Sequence, residues 1–366
     1  MSTSVISAAY AEINLNAVRH NLQQVHKHAP NVKVMAVIKA NAYGHGAIRL
    51  LKALANVDAL AVARLDEGIQ LRQAGSKKRI AVLQGFSNIE ELLQLMHFDL
   101  EAVIHSNQQV DLIEQLPTKA TLAVWLKIDT GMNRLGLKLE EVNYIHQRLN
   151  QCQLIIKPIN VMTHLACADD VTNDFTQQQI ALFKAAVTPF NGELSIANSA
   201  GILAWPDAAA DWVRPGIMLY GISPFPDSTG FDLGLIPVMS LYSKLITVKA
   251  VQKGETVGYG KAWLCEKATT IGIVAIGYAD GYPRHVKQGT PVLVNGSRVP
   301  LIGRVSMDTI TVDLSTQPNA LPGDKVTLWG DGLPIEEIAR YADTIPYTLV
   351  CGVTQRVRFI LTITLA

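Results

Sequence analysis

The stretch VMAVIKANAYGHG, residues 34–46, runs five apolar residues straight into Lys39 and then into small residues and glycine. A short apolar run of this length reads as a strand inside a core. Its last residue is then a lysine where the chain leaves that core. Two chemistries fit such a lysine. It can snorkel, burying its stem and holding the ammonium in water. Alternatively it is desolvated, and burial lowers the pKa and leaves an amine able to form a Schiff base with a carbonyl compound. Both remain open from this segment alone.

The same grammar, an apolar β-branched run followed by a helical pattern, recurs along the first two thirds of the chain. The runs are KVMAVIK (33–39), DALAVA (58–63), RIAVL (79–83), LEAVIH (100–105), TLAVWLKID (121–129), IIKPINVMTH (155–164), LSIANS (194–199) and WVRPGIMLY (212–220). Between them lie segments such as NIEELLQLM, where Ile89, Leu92, Leu93 and Met96 fall at i, i+3, i+4 and i+7. Eight apolar strands separated by helices predict a closed parallel (β/α)8 barrel of the TIM type. An open doubly wound sheet is the competitor. It is weakened because the turn after the first strand is KANAYGHG and not GxGxxG.

Past Phe231 the pattern changes. SLYSKLITVKAVQ, TTIGIVAIGYADG, PVLVNGSRVPLIG, TITVDL and DKVTLWG read as strands with glycine turns, and only PIEEIARYAD reads as a helix. Asn295-Gly296 between VLV and RVPL predicts a type I′ hairpin turn, although Asn295-Gly296-Ser297 also matches a glycosylation sequon. The expected division is therefore an α/β barrel over 10–230 and a mostly β domain over 231–366, with residues 1–9 left to pack against the latter.

Composition sets outer limits. With 366 residues, 49% hydrophobic and 17% charged, the chain can bury a large core in two domains. A formal net charge of +1 gives no electrostatic reason to expect nucleic acid or an anionic membrane as partner. The opening MSTSVISAAYAEINL lacks a basic n-region and a long apolar h-region, and no later stretch has the length of a membrane span. Cys152, Cys167, Cys265 and Cys351 lie far apart and form no CxxC pattern, which fits reduced thiols in a cytoplasm and implies no metal site.

In a barrel of this class the active site lies at the C-terminal ends of the strands. Lys39 ends the first run, with Asn41 and Tyr43 beyond it; Lys127 and Asp129 end the fifth, followed by TGMNRLG with Arg134. His164 ends the sixth, Asn198 and Ser199 the seventh, and Arg214 with Pro215-Gly216 the eighth. Each has an ordinary reading: a satisfied core histidine, a rim ion pair, an N-cap for the helix beginning AGILAW. Together they describe one polar mouth over an apolar barrel. Ser199 and Gly216 also occupy the usual phosphate position of this fold. A Schiff-base lysine and a phosphate cradle on one barrel face point to pyridoxal phosphate.

VMAVIKANAYGHG closely resembles the cofactor-lysine motif of bacterial alanine racemases, and KIDTGMNRLG, THLACAD, IANSAG, VRPGIMLYG, GETVGYGKAW, GYADGYPR, GRVSMD and Pro346-Tyr347 continue the resemblance in order along nearly the whole chain. It implies a pyridoxal-phosphate barrel followed by a β domain. Lys39 would hold the cofactor as a Schiff base, with Tyr43, Ser199, Gly216, Ile217 and Tyr347 around its phosphate. Arg214 would face the pyridine nitrogen, Arg134 the phenolic oxygen, and His164 and Asn198 would complete the cofactor's surroundings. Tyr259 would be the second catalytic base, and Arg134 with the Met307 amide would receive the substrate carboxylate. Lys127 matches a lysine that is often carbamylated in the family. Ser306 stands where many relatives have cysteine. The resemblance also implies L-alanine and D-alanine as substrates and a homodimer whose sites are shared between subunits, serving peptidoglycan synthesis or alanine catabolism.

These residue types suit racemisation. One base cannot readily serve both faces of a carbon, so Lys39 and Tyr259 would act from opposite sides. A tyrosine titrating near 10 needs a partner to become basic, and His164 beside Arg214 is the candidate relay. An arginine at the ring nitrogen keeps its own proton, which weakens the electron sink and disfavours transamination. Alternative readings are a serine or broad-specificity racemase, a non-catalytic pyridoxal phosphate carrier, which would lack the β domain, and a sugar-phosphate isomerase barrel, which leaves Lys39 and Tyr259 unexplained.

Overall fold

The computed structural model describes residues 8–363. After a first strand, β1 (Tyr10–Asn14), which belongs to a different sheet, eight short parallel strands close into a barrel. They are β2 (Lys33–Val37), β3 (Ala59–Val62), β4 (Arg79–Val82), β5 (Glu101–Ile104), β6 (Val124–Lys127), β7 (Asn160–Met162), β8 (Leu194–Ser195) and β9 (Trp212–Val213). Each of the eight runs read from the sequence contributes one of these strands. Every residue of β3, β5 and β6 is buried, because barrel filling covers one face and the helices the other. The runs extend beyond the paired residues, in proportion most of all in the eighth, where only Trp212–Val213 is strand.

The helices are set by local chemistry. Asn88 caps the helix Ile89–His97 by accepting from the Glu91 amide at 2.9 Å, and Leu92 and Leu95 form its buried face. Ile89 and Leu93, expected on that face, are 38% and 45% exposed, so the inward stripe is rotated by about a quarter of a turn from the one the spacing suggested. At the N-terminal end of the strands, Trp125 and Trp212 meet edge to face with centroids 5.7 Å apart. Their ring N–H groups donate to Glu101 and Glu193, each at 2.7 Å, and the Arg79 guanidinium lies 4.9 Å from the Trp212 ring centre. This polar-aromatic plug satisfies every buried indole N–H it contains.

The second unit is built on the long β10 (Met239–Val251). A two-stranded ribbon, β11 (Thr256–Val257) with β12 (Trp263–Leu264), follows, and then β13 (Thr269–Val274), β14 (Pro291–Val294), β15 (Ser297–Ile302), β16 (Ile310–Asp313), β17 (Lys325–Trp329) and β18 (Arg358–Thr362). β10 pairs with β17 early and with β13 late, so the pairings β13, β16, β15, β14, β17, β10 run in a closed circuit. Asn295 and Gly296 have φ of 49° and 80°, as the hairpin turn requires.

Two expectations change here. Among the described residues the compact units are 22–219 and, together, 8–21 with 220–363, so the strand at 10–14 groups with the β unit. β1 pairs antiparallel with β10 (Tyr10↔Tyr242 to Ile13↔Met239) and parallel with β18 (Tyr10↔Arg358 to Asn14↔Thr362), so backbone hydrogen bonding draws 10–14 into the C-terminal sheet. Residues 1–7 lie outside the described residues. The mostly β unit also holds a second helix, Pro346–Gly352, beside the expected one at Ile335–Tyr341. Proline at its first position fits a helix start, since its missing N–H has no intrahelical role there.

Candidate active site

Lys39 does not extend the first barrel strand. β2 ends at Val37, and from Ala40 to Tyr43 the backbone makes a left-handed turn, with φ of 51°, 52°, 55° and 52°. Four successive non-glycine residues in this region are costly, roughly 1–2 kcal/mol each. The turn is closed by Gly44 N–H donating to Ala40 O at 2.9 Å, Gly46 N–H to Asn41 O at 2.8 Å and Ala47 N–H to the Asn41 side chain at 2.9 Å. The fully buried His45 ring also reaches it, with Nδ1 at 3.0 Å from Ala42 O and 2.9 Å from Tyr43 O. Burial pushes the His45 pKa down to about 4, so the ring is neutral and Nδ1–H is the donor to both carbonyls. Lys39 itself is half-buried.

Beside it lies an anion cradle. The Val37 amide donates to Pro215 O at 2.9 Å, which sets the end of β2 against the residue before Gly216. The Ser199 hydroxyl accepts from the amides of Gly216 at 2.9 Å and Met218 at 3.3 Å. A Cβ built on Gly216 would come 2.7 Å from the Tyr43 hydroxyl. Ile217 opens a short 3-10 turn here and is buried. Convergent amides, two hydroxyls and a glycine whose missing Cβ leaves room beside the Tyr43 hydroxyl suit a phosphate group. Asn198 caps the helix Ser199–Ala204 through the Gly201 amide at 2.9 Å. This is the ordinary reading given for it, and it uses the side-chain oxygen.

Arg214, 4% exposed, reaches across the strand ends. It donates to Ser195 Oγ at 2.6 Å, to the carbonyls of Thr163 and of Ile196 (3.2 Å), and to His164 Nδ1 at 3.4 Å. Burial lowers its pKa to about 10, which leaves it a cation at neutral pH. His164 is held well below its ordinary value, first by burial and then by Arg214, Lys127, Arg134 and Lys39. It is therefore neutral, with Nδ1 facing a donor and its proton on Nε2. Lys127 is lowered to about 8 by burial and by the charges of Arg214 and Arg134, with Asp129 opposing and Lys39 adding. Lys127 is thus still mostly an ammonium at neutrality, with about a tenth present as free amine at pH 7, far more than for an ordinary lysine, in a pocket of cations that favours an anion. Arg134 stands in a loop fixed by Asp129, whose carboxylate accepts from the Gly131 and Asn133 amides at 2.9 and 3.1 Å.

Tyr259, Met307 and Tyr347 belong to the other unit. Tyr259 lies between Gly258 and Gly260, with φ of 77° and 68°, and is 70% exposed. Cβ atoms on these glycines would lie 3.4 Å from Arg304 N and 3.2 Å from its guanidinium, so the Tyr259 turn packs on the loop that leads to Met307. That loop is pinned by Tyr278 N–H to Ser306 O at 3.1 Å and Ala279 N–H to Met307 O at 3.0 Å. Met307 is 52% exposed. Tyr347, half-buried, sits on the helix Pro346–Gly352. Among the described residues no cluster of three or more His, Cys, Asp or Glu side chains could hold a metal, and no helix is long and apolar enough to cross a membrane.

The sequence did not single out the groups that brace this set. Thr163 Oγ1 donates to Ile128 O at 2.9 Å and meets Thr130 Oγ1 at 2.9 Å, while Gln179 donates to Thr130 Oγ1 and to His164 O, both at 3.2 Å. Ser195 anchors Arg214. Ser195 and Thr163 interrupt apolar runs, and that interruption was the available signal, whereas Thr130 and Gln179 lie in the polar stretches DTG and TQQQ and carry none.

The two parts of the chain match two family models, the alanine racemase N-terminal domain over residues 13–224 and the alanine racemase C-terminal domain over 238–361. An alanine racemase of Aeromonas hydrophila is 47% identical over 352 residues, 96% of this chain and 99% of that protein. Among solved structures, the biosynthetic alanine racemase of Pseudomonas aeruginosa aligns with a TM-score of 0.94 at 42% identity, covering 98% of this chain and 100% of that one. That of Bartonella henselae, with covalently bound pyridoxal phosphate, aligns at 0.87 and 30% identity over 97% and 99% of the two chains. With matches of this identity over nearly its whole length, and with a barrel mouth that offers both a lysine and a phosphate cradle, the chain belongs to the alanine racemase family of pyridoxal-phosphate-dependent enzymes.

Proposed function

We propose that the protein interconverts L-alanine and D-alanine by moving a proton between the two faces of Cα, with Lys39 and Tyr259 as the two bases. The observation that carries this reading is the adjacency of Lys39 to the Ser199–Gly216–Tyr43 cradle, in a chain whose relatives are alanine racemases from end to end. Lys39 is the covalent anchor, Tyr43, Ser199, Gly216, Ile217 and Tyr347 hold the phosphate, and Asn198 supports it by capping the helix that presents Ser199. Pyridoxal phosphate, when bound, acidifies the substrate Cα–H by accepting its electron pair into the ring. Arg134 and the Met307 amide take the substrate carboxylate. Tyr259 Oη removes the proton of L-alanine and Lys39 Nζ that of D-alanine; each returns a proton to the face opposite the other's.

The surrounding charges support those roles. Arg214 keeps its proton at neutral pH and so supplies a fixed cation where a carboxylate would supply a shared proton. The neutral His164 beside it resists charging among four cations, so it stays an uncharged hydrogen-bonding group, and any proton it relays must enter at one ring nitrogen as another leaves the second. Lys127, with its pKa near 8, is suited to capture carbon dioxide; the carbamate would be an anion fixing Arg134.

The exposure of Tyr259 and Met307 supports a homodimer in which this face of one subunit closes the barrel mouth of its partner. Four cysteines that form no disulfide among the described residues fit a cytoplasmic enzyme serving peptidoglycan synthesis or alanine catabolism. The test is complementation. Lys39→Ala and Tyr259→Phe chains, each inactive alone, are mixed under conditions that exchange subunits. Random pairing makes about half the dimers mixed, each with one intact site of two, so about a quarter of full activity returns. Confirmed subunit exchange without any returning activity would overturn the shared site.

A further inference from the structure

The left-handed turn behind Lys39 has a second holder, and it comes from the neighbouring βα unit. Glu67 is the third residue of the helix Leu65–Gln73, and its carboxylate faces two ways. Oε2 accepts from the amides of Ala63 at 2.8 Å and Arg64 at 3.1 Å, the ordinary work of a glutamate capping its own helix. Oε1 accepts from the Ala40 amide at 2.6 Å. Ala40 is the residue after Lys39 and the first of the left-handed turn.

The chain itself provides the comparison. Glu141 stands at the same position of the helix Leu139–Gln151 and caps it through the Lys138 amide at 2.9 Å. Its work is local. Glu67 does the same for its helix and in addition grips the peptide bond that follows the lysine. A charged acceptor makes the stronger kind of backbone hydrogen bond, and the backbone it holds is in a conformation it would not keep unaided. His45 holds the far end of the turn through Ala42 O and Tyr43 O. The lysine backbone is thus clamped on one side by β2 and on the other by this turn, which limits where Nζ can go.

We propose that Glu67 is a positioning residue for Lys39: its carboxylate pins Ala40, fixes the left-handed turn, and thereby holds the lysine amine on its face of the substrate. The claim rests on Lys39 being the covalent anchor and one of the two bases. It goes beyond that reading by assigning the precision of the lysine face to a residue that touches neither cofactor nor substrate.

The test compares Glu67→Gln, Glu67→Asp and the control Glu141→Gln as holoenzymes. A glutamine can still offer its oxygen to Ala63 and Arg64, but its amide group then faces the Ala40 N–H, donor against donor. An aspartate keeps the charge at the helix start and shortens the reach by one methylene, so one variant that fails to fold does not end the comparison. Two readouts are expected to move in the Glu67 variants and not in the control. Hydrogen exchange of the peptide spanning residues 34–46 should quicken about tenfold. Starting from L-alanine in deuterium oxide, deuterium gained by remaining L-alanine relative to D-alanine formed should rise about tenfold, because Tyr259 still removes and returns a proton while delivery from the Lys39 face fails. General loss of stability lowers both products together and leaves this ratio alone. Glu67 variants that match Glu141→Gln in both readouts overturn the proposal. Borohydride reduction and peptide mapping of the unmodified holoenzyme separates the two claims. Label on Lys39 with no effect at Glu67 removes only the positioning role, whereas label elsewhere removes the anchor reading and this proposal with it.

Discussion

Replacing Lys127 by methionine should stabilise the barrel, by an amount that depends on pH. Lys127 is 9% exposed and stands among Arg214, Arg134 and Lys39. Its pKa falls from 10.5 to about 8, which at about 1.4 kcal/mol per pH unit corresponds to roughly 3 kcal/mol. The sign follows from proton counting. Between pH 8 and 10.5 the unfolded chain binds this proton and the folded chain does not, so wild-type stability rises with pH across that window. Below pH 8 the folded protein carries the whole penalty of a buried, crowded ammonium. Methionine has similar length and no charge, so it keeps the packing and removes the penalty. Urea unfolding of the cofactor-free protein in carbonate-free buffer, followed through the fluorescence of Trp125 two residues away on β6, should show the variant more stable by roughly 3 kcal/mol at pH 7. The difference should vanish above about pH 10.5. Bicarbonate at pH 8 should narrow it by converting the wild-type amine to an anion among cations. A variant no more stable at pH 7, or a difference unchanged between pH 7 and pH 10.5, would refute the assignment of Lys127 as a destabilising buried amine.

Gly216→Ala should weaken cofactor binding about tenfold, read by fluorescence titration, with an unchanged melting temperature, because the added Cβ meets the Tyr43 hydroxyl at 2.7 Å and not the backbone. Tyr259→Phe should abolish exchange of the α-proton of L-alanine with solvent deuterium while exchange from D-alanine through Lys39 persists; equal loss from both enantiomers would count against separate bases. Arg79→Met leaves the buried Glu101 with only the Trp125 N–H as partner, and should cost roughly 2–3 kcal/mol in chemical denaturation while KM for alanine stays unchanged.

The barrel was legible because each strand announces itself locally. Runs such as DALAVA and LEAVIH are apolar at every position, and their count alone closes the ring. The polar mouth was legible by the same route, since the end of each run names the residue placed there. What the sequence hid depends on distant partners. YAEIN reads as a weak alternating strand next to a helix, and only its pairing with β10 and β18, more than 220 and 340 residues away, assigns it to the second unit. The turn KANAY contains one residue type, Asn41, with any ease in left-handed geometry. Its conformation is imposed by Glu67 and His45, whose side chains reach it across space. Asn198 shows the reverse case, where the local reading as an N-cap was the structural one.

The most direct measurement of the central claim is the fate of L-alanine incubated with the holoenzyme in deuterium oxide, followed by proton NMR and chiral separation. Two bases on opposite faces predict that D-alanine accumulates to an equal mixture, that deuterium enters Cα as it forms, and that no keto acid appears. Deuterium entering L-alanine with no D-alanine formed, or pyruvate produced in step with alanine lost, would contradict the account.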